Sequence, residues 1–214
     1  MKTIFQIVLW IACIGLGFLI YKSVTGPIEF KKVKQARFAE VITTLKDIRD
    51  SQEAYKTVNG KFAADFKSLI AFVDTGQYTI TQRRDSSYME FDKTYGIDLL
   101  KEVTIVDTLG FVKVKDSLFK GDERYKGMMN VPNAQNNEQF TMKADILDKA
   151  GYKASVFEAK VNKDVVLFDQ PKDLVDRENA QISVEEVNGS EIIVGSLSDV
   201  STNGNWPPIY DKKQ

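Results

Sequence analysis

The chain has 214 residues, of which 43% are hydrophobic and 28% are charged, and 29 basic and 30 acidic residues leave a formal net charge of -1. This length suits one folded domain plus an anchor, and the balanced charge disfavours bulk nucleic-acid binding, which needs clustered positive charge to displace counterions from phosphates. The chain has no histidine and a single cysteine, Cys13, which excludes an intrachain disulfide, histidine-dependent catalysis and the usual zinc and iron ligand sets.

The N-terminal segment Ile4 to Tyr21 reads IFQIVLWIACIGLGFLIY and contains no charged residue. As a helix it is about 27 Å long, close to the hydrocarbon thickness of a bilayer. We therefore predict an uncleaved transmembrane anchor over residues 1–22, with Tyr21 and Lys22 at the headgroups. Two alternatives stay open: a cleaved signal peptide, for which no convincing small-residue cleavage site follows, and a lipoprotein signal that ends before Cys13.

The charges around this anchor do not by themselves fix its orientation. Five basic residues follow it and only Lys2 and the terminal amine precede it, so the positive-inside rule alone predicts a cytoplasmic C-terminal domain. A long domain after a single anchor can nevertheless be translocated regardless of local charge. The expectation of an extracytoplasmic head rests on the family resemblance given below.

A juxtamembrane helical region is predicted over 23–76. Ser23 to Pro27 is predicted to break or bend the chain, and an amphipathic helix then runs from about Ile28 to Val58. Asn59-Gly60 ends it, and a shorter helix follows from about Ala64 to Val73. The apolar stripe of the long helix is predicted to form a partner interface or a contact between copies, with packing on the chain's own head as the alternative that amphipathic helices most often show. This stripe comprises Phe38, Val41, Leu45, Ile48 and Tyr55.

Beyond Gly76 short β-prone runs alternate with turn residues, which predicts a β-rich head over 77–214. Asn188-Gly189 predicts a hairpin, Gly121 to Glu138 a long loop, and Trp206 a cover over one edge of the core, with the last residues frayed. The predicted fold class is α+β: an N-terminal transmembrane helix, a long amphipathic helix, and a mostly antiparallel β-rich head. The predicted strands are Tyr78–Gln82, Val103–Val106, Phe111–Val114, Gln139–Ile146, Ser155–Val161, Val165–Phe168, Ile182–Val187 and Ile192–Leu197.

The stretch Thr44 to Val73, TLKDIRDSQEAYKTVNGKFAADFKSLIAFV, resembles the end of the long N-terminal helix of type IV pilins and type II secretion pseudopilins. In that family a membrane helix runs into an amphipathic helix that ends near a tyrosine and an Asn-Gly stop, followed by an aromatic residue and a sheet. The resemblance implies a pilin-like architecture outside the cytoplasmic membrane. The family's processing motif and the acidic residue of its anchor are absent here. The matching residues are Ala54, Tyr55, Asn59, Gly60 and Phe62.

Three patterns carry possible chemistry, and each has a simpler structural explanation. Asp74-Thr75-Gly76 matches the aspartic-protease signature, with Ile193 to Gly195 as a possible second element, but Gly76 also suits a helix C-cap. Ser117 and Lys120 have the Ser-x-x-Lys spacing, without the motifs that accompany it. Acidic pairs such as Glu185-Glu186 lack the spacing of a calcium loop. We therefore predict no catalytic, cofactor-binding or metal-ligating residue.

The functional interpretation is a non-catalytic, single-pass structural subunit of a bacterial envelope assembly for secretion, motility or a pilus-like fibre. Its anchor would lie in the inner membrane and its C-terminal domain in the periplasm. The expected partners are the membrane and further copies or other envelope proteins, with no nucleic acid and no cofactor. Two alternatives remain: a sensory or ligand-binding head that recognises a small molecule, peptide or glycan through loops such as Gly121 to Glu138, and an enzyme of unfamiliar type.

Overall fold

A computed structural model describes residues 2–92, 96–149 and 151–211 and confirms an α+β chain with antiparallel sheets. One long N-terminal helix leads into a two-stranded sheet of order β1-β2 and a three-stranded sheet of order β3-β4-β5. Short 3₁₀ turns cover Arg124–Gly127, Gln135–Asn137 and Pro208–Asp211. The other elements are α1 (Lys2–Asn59), α2 (Phe66–Thr75), β1 (Gln77–Asp92), β2 (Ile97–Lys113), α3 (Val114–Phe119), β3 (Thr141–Lys149), β4 (Tyr152–Asn162), α4 (Lys163–Val166), α5 (Lys172–Asn179) and β5 (Glu191–Gly195).

Helix α1 passes through Pro27 without interruption, so the predicted separation into two helices is wrong. Proline has a helical φ, and its main local cost is the loss of one backbone hydrogen bond together with crowding of the preceding turn. Thr25 Oγ1 donates to the carbonyl of Tyr21 at 2.6 Å one turn earlier. The stability of the helix on both sides of Pro27 outweighs this local cost. The helix ends at Asn59 as predicted, and Gly60 follows with φ +75°.

The C-terminal half of α1 lies in the core of the head, which corrects the prediction that its stripe contacts a partner. Phe38, Val41, Leu45 and Ile48 are each 0% exposed, and Tyr55 packs edge-to-face on Phe72 of α2 with ring centroids 5.0 Å apart. The stripe faces α2 and the β3-β4-β5 sheet of the same chain, as the alternative expected. A boundary between a helical region and the head at residues 76 and 77 therefore does not hold, because each needs the other to bury its apolar face.

Strand β4 forms the centre of the three-stranded sheet and carries its inward side chains. Phe157 is 0% exposed and its ring lies 4.7 Å from that of Phe62, just beyond the end of α1. Gly195 closes β5 with φ +79°, and a side chain there would collide with the carbonyl oxygen of Phe157. Three predicted strands correspond to β3, β4 and β5. The predicted strand Val165–Phe168 is wrong, because Asn162 caps a short helix there by accepting from Asp164 N at 3.0 Å.

The predicted strand Ile182–Val187 and its Asn188-Gly189 hairpin are also wrong. Segment 182–187 is irregular, and Ile182 is 90% exposed. The tail takes the edge of β5 that this strand would have needed: Asn205 N donates to Ile193 O at 3.0 Å, and its side chain accepts from Ile193 N at 2.9 Å. Trp206, at 9% exposure, covers the adjoining core as predicted. The fraying predicted for the terminus falls partly on residues 212–214, outside the described residues.

Candidate membrane anchor and interaction surfaces

The first turns of α1 present apolar side chains on all sides. Large apolar residues between Ile4 and Tyr21 are 55 to 71% exposed, and an 18-residue window of this helix has a mean hydropathy of 2.3 with none of it buried. A surface helix of a soluble domain normally keeps a polar face, whereas a helix that is apolar all round needs an apolar environment. By length and composition this is the one helix among the described residues that could cross a membrane.

The apolar segment of α1 joins the head without a flexible linker. The apolar run ends at Tyr21, and the first buried side chain of the head on this helix is Phe30, about 14 Å further along the axis. Lys22 and Lys31 are exposed between and beside these points. A single helix therefore fixes both the distance and the direction of the head relative to the apolar segment.

Beside this junction lies a buried ionic cluster, here called the Glu178 cluster, made of Lys34, Lys163, Glu178 and Glu186. Lys34 Nζ donates to Glu178 Oε2 and to Glu186 Oε2, both at 2.8 Å, and Lys163 Nζ donates to Glu178 Oε1 at 3.1 Å. The side chains of Lys34, Lys163 and Glu178 are only 5%, 0% and 6% exposed. The cluster ties α1 to α4, α5 and the loop after α5.

The two lysines of the cluster differ in their electrostatics. Burial lowers the pKa of the Lys163 ammonium, and the charge and hydrogen bond of Glu178 offset only part of that effect. Lys163 Nζ also donates to the carbonyls of Val187 at 2.7 Å and Glu178 at 3.0 Å, which satisfies its donors. Burial also opposes the charge on Lys34, but two carboxylate hydrogen bonds outweigh it and raise its pKa. Every acid and base here is engaged in holding elements together.

Sequence reasoning did not identify the Glu178 cluster. Lys34 continues the apolar stripe towards the N-terminus, because Phe30, Lys34 and Phe38 follow at spacings of four, and a lysine in such a row could have indicated a buried cation. Its partner Glu178 lies 144 positions away, in a segment without an apolar pattern.

A further ion pair closes the same end of the head over α1. Arg37 binds Asp169 through two nitrogens at 2.6 and 2.8 Å, and its Nη1 also donates to Val166 O at 2.9 Å. The hydrogen bonds from Arg37 lower the pKa of Asp169 to about 2. Such bidentate geometry orders both side chains, so it serves to fix the turn after α4 on the helix.

The catalytic candidates occupy structural positions. Asp74 accepts a hydrogen bond from the Tyr125 hydroxyl at 2.6 Å, which lowers the pKa of Asp74 and raises that of Tyr125 to about 12. Gly76 caps α2, donating to Phe72 O at 2.6 Å, as expected. Ser117 lies exposed in α3, and Lys120 ends this helix in the left-handed conformation with φ 53°. No cluster of three metal-ligating side chains occurs in the part of the chain that the structure describes.

A groove of about 1120 Å³ runs along α1 beside the C-terminal tail, and it bears on the ligand-binding alternative. Its charges are mostly paired with each other or with neighbours: Lys46 binds Asp211 at 2.9 Å, and Arg49 contacts Asp50 at 3.1 Å. Of the loop Gly121 to Glu138, only Pro132 lines it. The buried residues Tyr125, Met128 and Val131 hold that loop on the core.

Strands β1 and β2 form a long two-stranded sheet, here called the ribbon. Three short strands were predicted in this region, but the ribbon pairs 77–92 with 97–113 and is irregular only between Ile80 and Thr81. Val114, predicted to end a strand, begins α3 and donates to Gly76 O at 3.0 Å at the base of the ribbon. Beyond that base its side chains are almost all exposed on both faces.

Comparison with protein-family models, curated proteins and solved structures finds no match to this chain.

Proposed function

We propose that this chain is a single-pass, membrane-anchored structural subunit of a bacterial envelope assembly, of the kind that serves secretion, motility or a pilus-like fibre. In this proposal the apolar part of α1 crosses the inner membrane and the head stands on the periplasmic side. The observation that carries it is the continuity of α1, which is apolar on all sides up to Tyr21 and becomes the central core helix of the head from Phe30 onward.

This continuity suits a subunit whose head must stay at a fixed position relative to its anchor, rather than one whose head moves freely. A head on a flexible linker moves independently of its anchor, whereas a head built around the anchor helix moves with it. The Glu178 cluster and the Arg37–Asp169 pair add ionic contacts where the helix enters the head. The ribbon supplies a large exposed surface for assembly contacts away from this junction.

The test is isolation of the full-length chain, with a C-terminal affinity tag, from membranes in a mild detergent. The proposal expects a complex of defined mass that contains several copies of the chain or constant partners. A matched control replaces residues 4–21 with a generic leucine-alanine span of the same length, which keeps the anchor and removes contacts specific to its side chains. A monomer in mild detergent that carries no stable neighbour would contradict the assembly role.

The alternative function, a sensory or ligand-binding head, is favoured only by the groove beside the tail. Its lining carries both charge signs, with Glu40, Thr44 and Tyr210 among the groups that a polar ligand could contact. Saturable binding of a small polar molecule, lost on changing Thr44 and Tyr210 and accompanied by a monomeric protein, would support this function instead of the structural one.

A further inference from the structure

The ribbon leaves both of its outer edges without a hydrogen-bonded neighbour among residues 2–92, 96–149 and 151–211. A two-stranded sheet alone is only marginally stable in water, and a free edge offers a template for another strand. Apolar side chains along β2 are also exposed to solvent. Those that are 38 to 61% exposed are Ile97, Leu99, Leu100, Val103 and Val106.

We propose that β2 pairs edge to edge, antiparallel, with β2 of a second copy of this chain, across a two-fold axis at Thr104. The two ribbons would then form one four-stranded antiparallel sheet. This interface rests on the proposed role as an assembly subunit, because it names the contact between subunits. It does not depend on which membrane or compartment holds the chain.

On one face of β2 the side chains are self-complementary about Thr104. Residues at equal distances from the axis lie opposite one another, so Lys101 faces Asp107 of the second copy and Val103 faces its Ile105. Side chains alternate along a strand, so all four share one face of the sheet. Opposite charges and opposed β-branched residues are the cross-strand pairs that stabilise antiparallel sheets.

Ion pairs within each ribbon extend this match across all four strands. Arg84 of β1 binds Asp107 at 3.2 Å, and Lys101 binds Glu90 of β1 on the same face. Across the two-fold axis the order becomes Arg84, Asp107, then Lys101 and Glu90 of the second copy. The charges alternate in sign along the whole row, so the dimer extends pairs that already exist in each ribbon.

Neighbouring registers lack this match. With the axis moved to Val103, Lys101 faces Ile105 and Asp107 faces Leu99, and with the axis at Ile105 both charges again face apolar side chains. The register at Thr104 also fits the regular part of the strand, which reaches from the tip of the ribbon to the irregularity opposite Ile80 and Thr81.

The β1 edge fits a second copy less well. Its central run is Arg83-Arg84-Asp85-Ser86-Ser87, five polar residues with no apolar side chain among them. The corresponding centre of β2 is Val103-Thr104-Ile105-Val106, which is rich in β-branched residues and suits a buried pairing. This difference selects β2 as the edge that pairs.

Disulfide trapping of the full-length chain in detergent tests the register. Because Cys13 is the single native cysteine, replacing it leaves each introduced cysteine as the only thiol of its chain. In a Cys13→Ser background, Thr104→Cys places two thiols directly opposite across the axis, with Cα atoms about 5 Å apart, within the Cα–Cα range for a disulfide. Thr108→Cys is the matched control: it has the same residue type, strand and face, but its two copies would lie about 26 Å apart. Ser87→Cys tests the β1 edge.

We expect mild oxidation to convert Thr104→Cys to covalent dimer about tenfold more completely than Thr108→Cys, because only the former meets the disulfide geometry. Four results would overturn the proposal: equal yields for Thr104→Cys and Thr108→Cys, no covalent dimer, a higher yield at Ser87→Cys, or a disulfide to a different polypeptide. The result is read from whichever fraction holds the chain, so it is independent of the membrane span.

Charge reversal supplies a second readout that does not require cysteine. Lys101→Asp and Asp107→Lys each place like charges across the axis and should weaken self-association. Mixing the two variants should restore dimers, because Asp at 101 then faces Lys at 107 and the unchanged pair faces as before. Each chain keeps its own intramolecular defect in the mixture, so recovery reports the contact between copies. Failure of the mixture to recover would contradict this register.

Discussion

Glu178→Ala should lower the free energy of unfolding of the head by about 3–5 kcal/mol, because it leaves two buried ammonium groups without their shared carboxylate. Lys163 is fully buried and would keep only carbonyl acceptors, while Lys34 would keep only Glu186. The measurement is urea unfolding of the full-length chain in detergent, followed by far-ultraviolet circular dichroism. The loss should be a shift of the midpoint without a change in slope.

Glu191→Ala is the matched control for this change. Glu191 also binds a lysine, Lys160, at 2.9 Å, but both side chains are about one-third exposed, and such pairs contribute at most about 1 kcal/mol. A second variant replaces Lys34, Lys163 and Glu178 together with Met, Met and Leu. Removing the three most buried charges together leaves only Glu186, which is 26% exposed, and should restore most of the lost stability. Equal losses for Glu178→Ala and Glu191→Ala would show that the cluster does not fasten the head to α1.

The second large effect is a loss of membrane association, expected when charges are placed in the apolar segment. Ile11→Lys combined with Ile14→Lys should move the chain out of the membrane fraction, because each lysine near the centre of a spanning helix costs about 2.5–3.5 kcal/mol. The two changes together remove most of the driving force for insertion. Alkaline carbonate extraction followed by flotation on a density gradient measures the membrane-embedded fraction directly.

The control for this pair places the same charges on the same helix, just beyond the apolar run. Val24→Lys combined with Ile28→Lys alters side chains that are 59 and 62% exposed, and this variant should stay with the membrane. If both double variants partition alike, the segment from Ile4 to Tyr21 is not embedded in lipid.

Helical parts of the fold could be predicted from the sequence because their signals are local. The three-and-four spacing of Phe38, Val41 and Leu45 marks a buried face, and Asn59-Gly60 marks a helix end; both hold in the structure. The predicted break at Pro27 was wrong because it too rested on a local signal. A local rule gives the cost of a proline in a helix, while the stability of the helix on either side is a property of the whole molecule.

The sheets could be predicted only in part, because strand pairing is set by distant residues. Tail residue Asn205 takes the edge of β5 that the segment around Val184 was predicted to pair with, and nothing in either stretch indicates this. The length and pairing of the ribbon were not predicted, because both of its faces are exposed, which removes the alternation of apolar and polar side chains. The partners of the Glu178 cluster are likewise far apart in the chain.

The most direct measurement of the central claim, that α1 crosses the membrane and continues into the head, uses the native Cys13. This thiol lies within the apolar run and is not covered by the head. A control chain carries Cys13→Ser and Thr202→Cys, which moves the only thiol to the head. In isolated membranes we expect a polar maleimide to label the control and to leave Cys13 unmodified until SDS is added, because a polar reagent does not enter the hydrocarbon core of the bilayer. Labelling of Cys13 in native membranes at the rate of the control would contradict the claim.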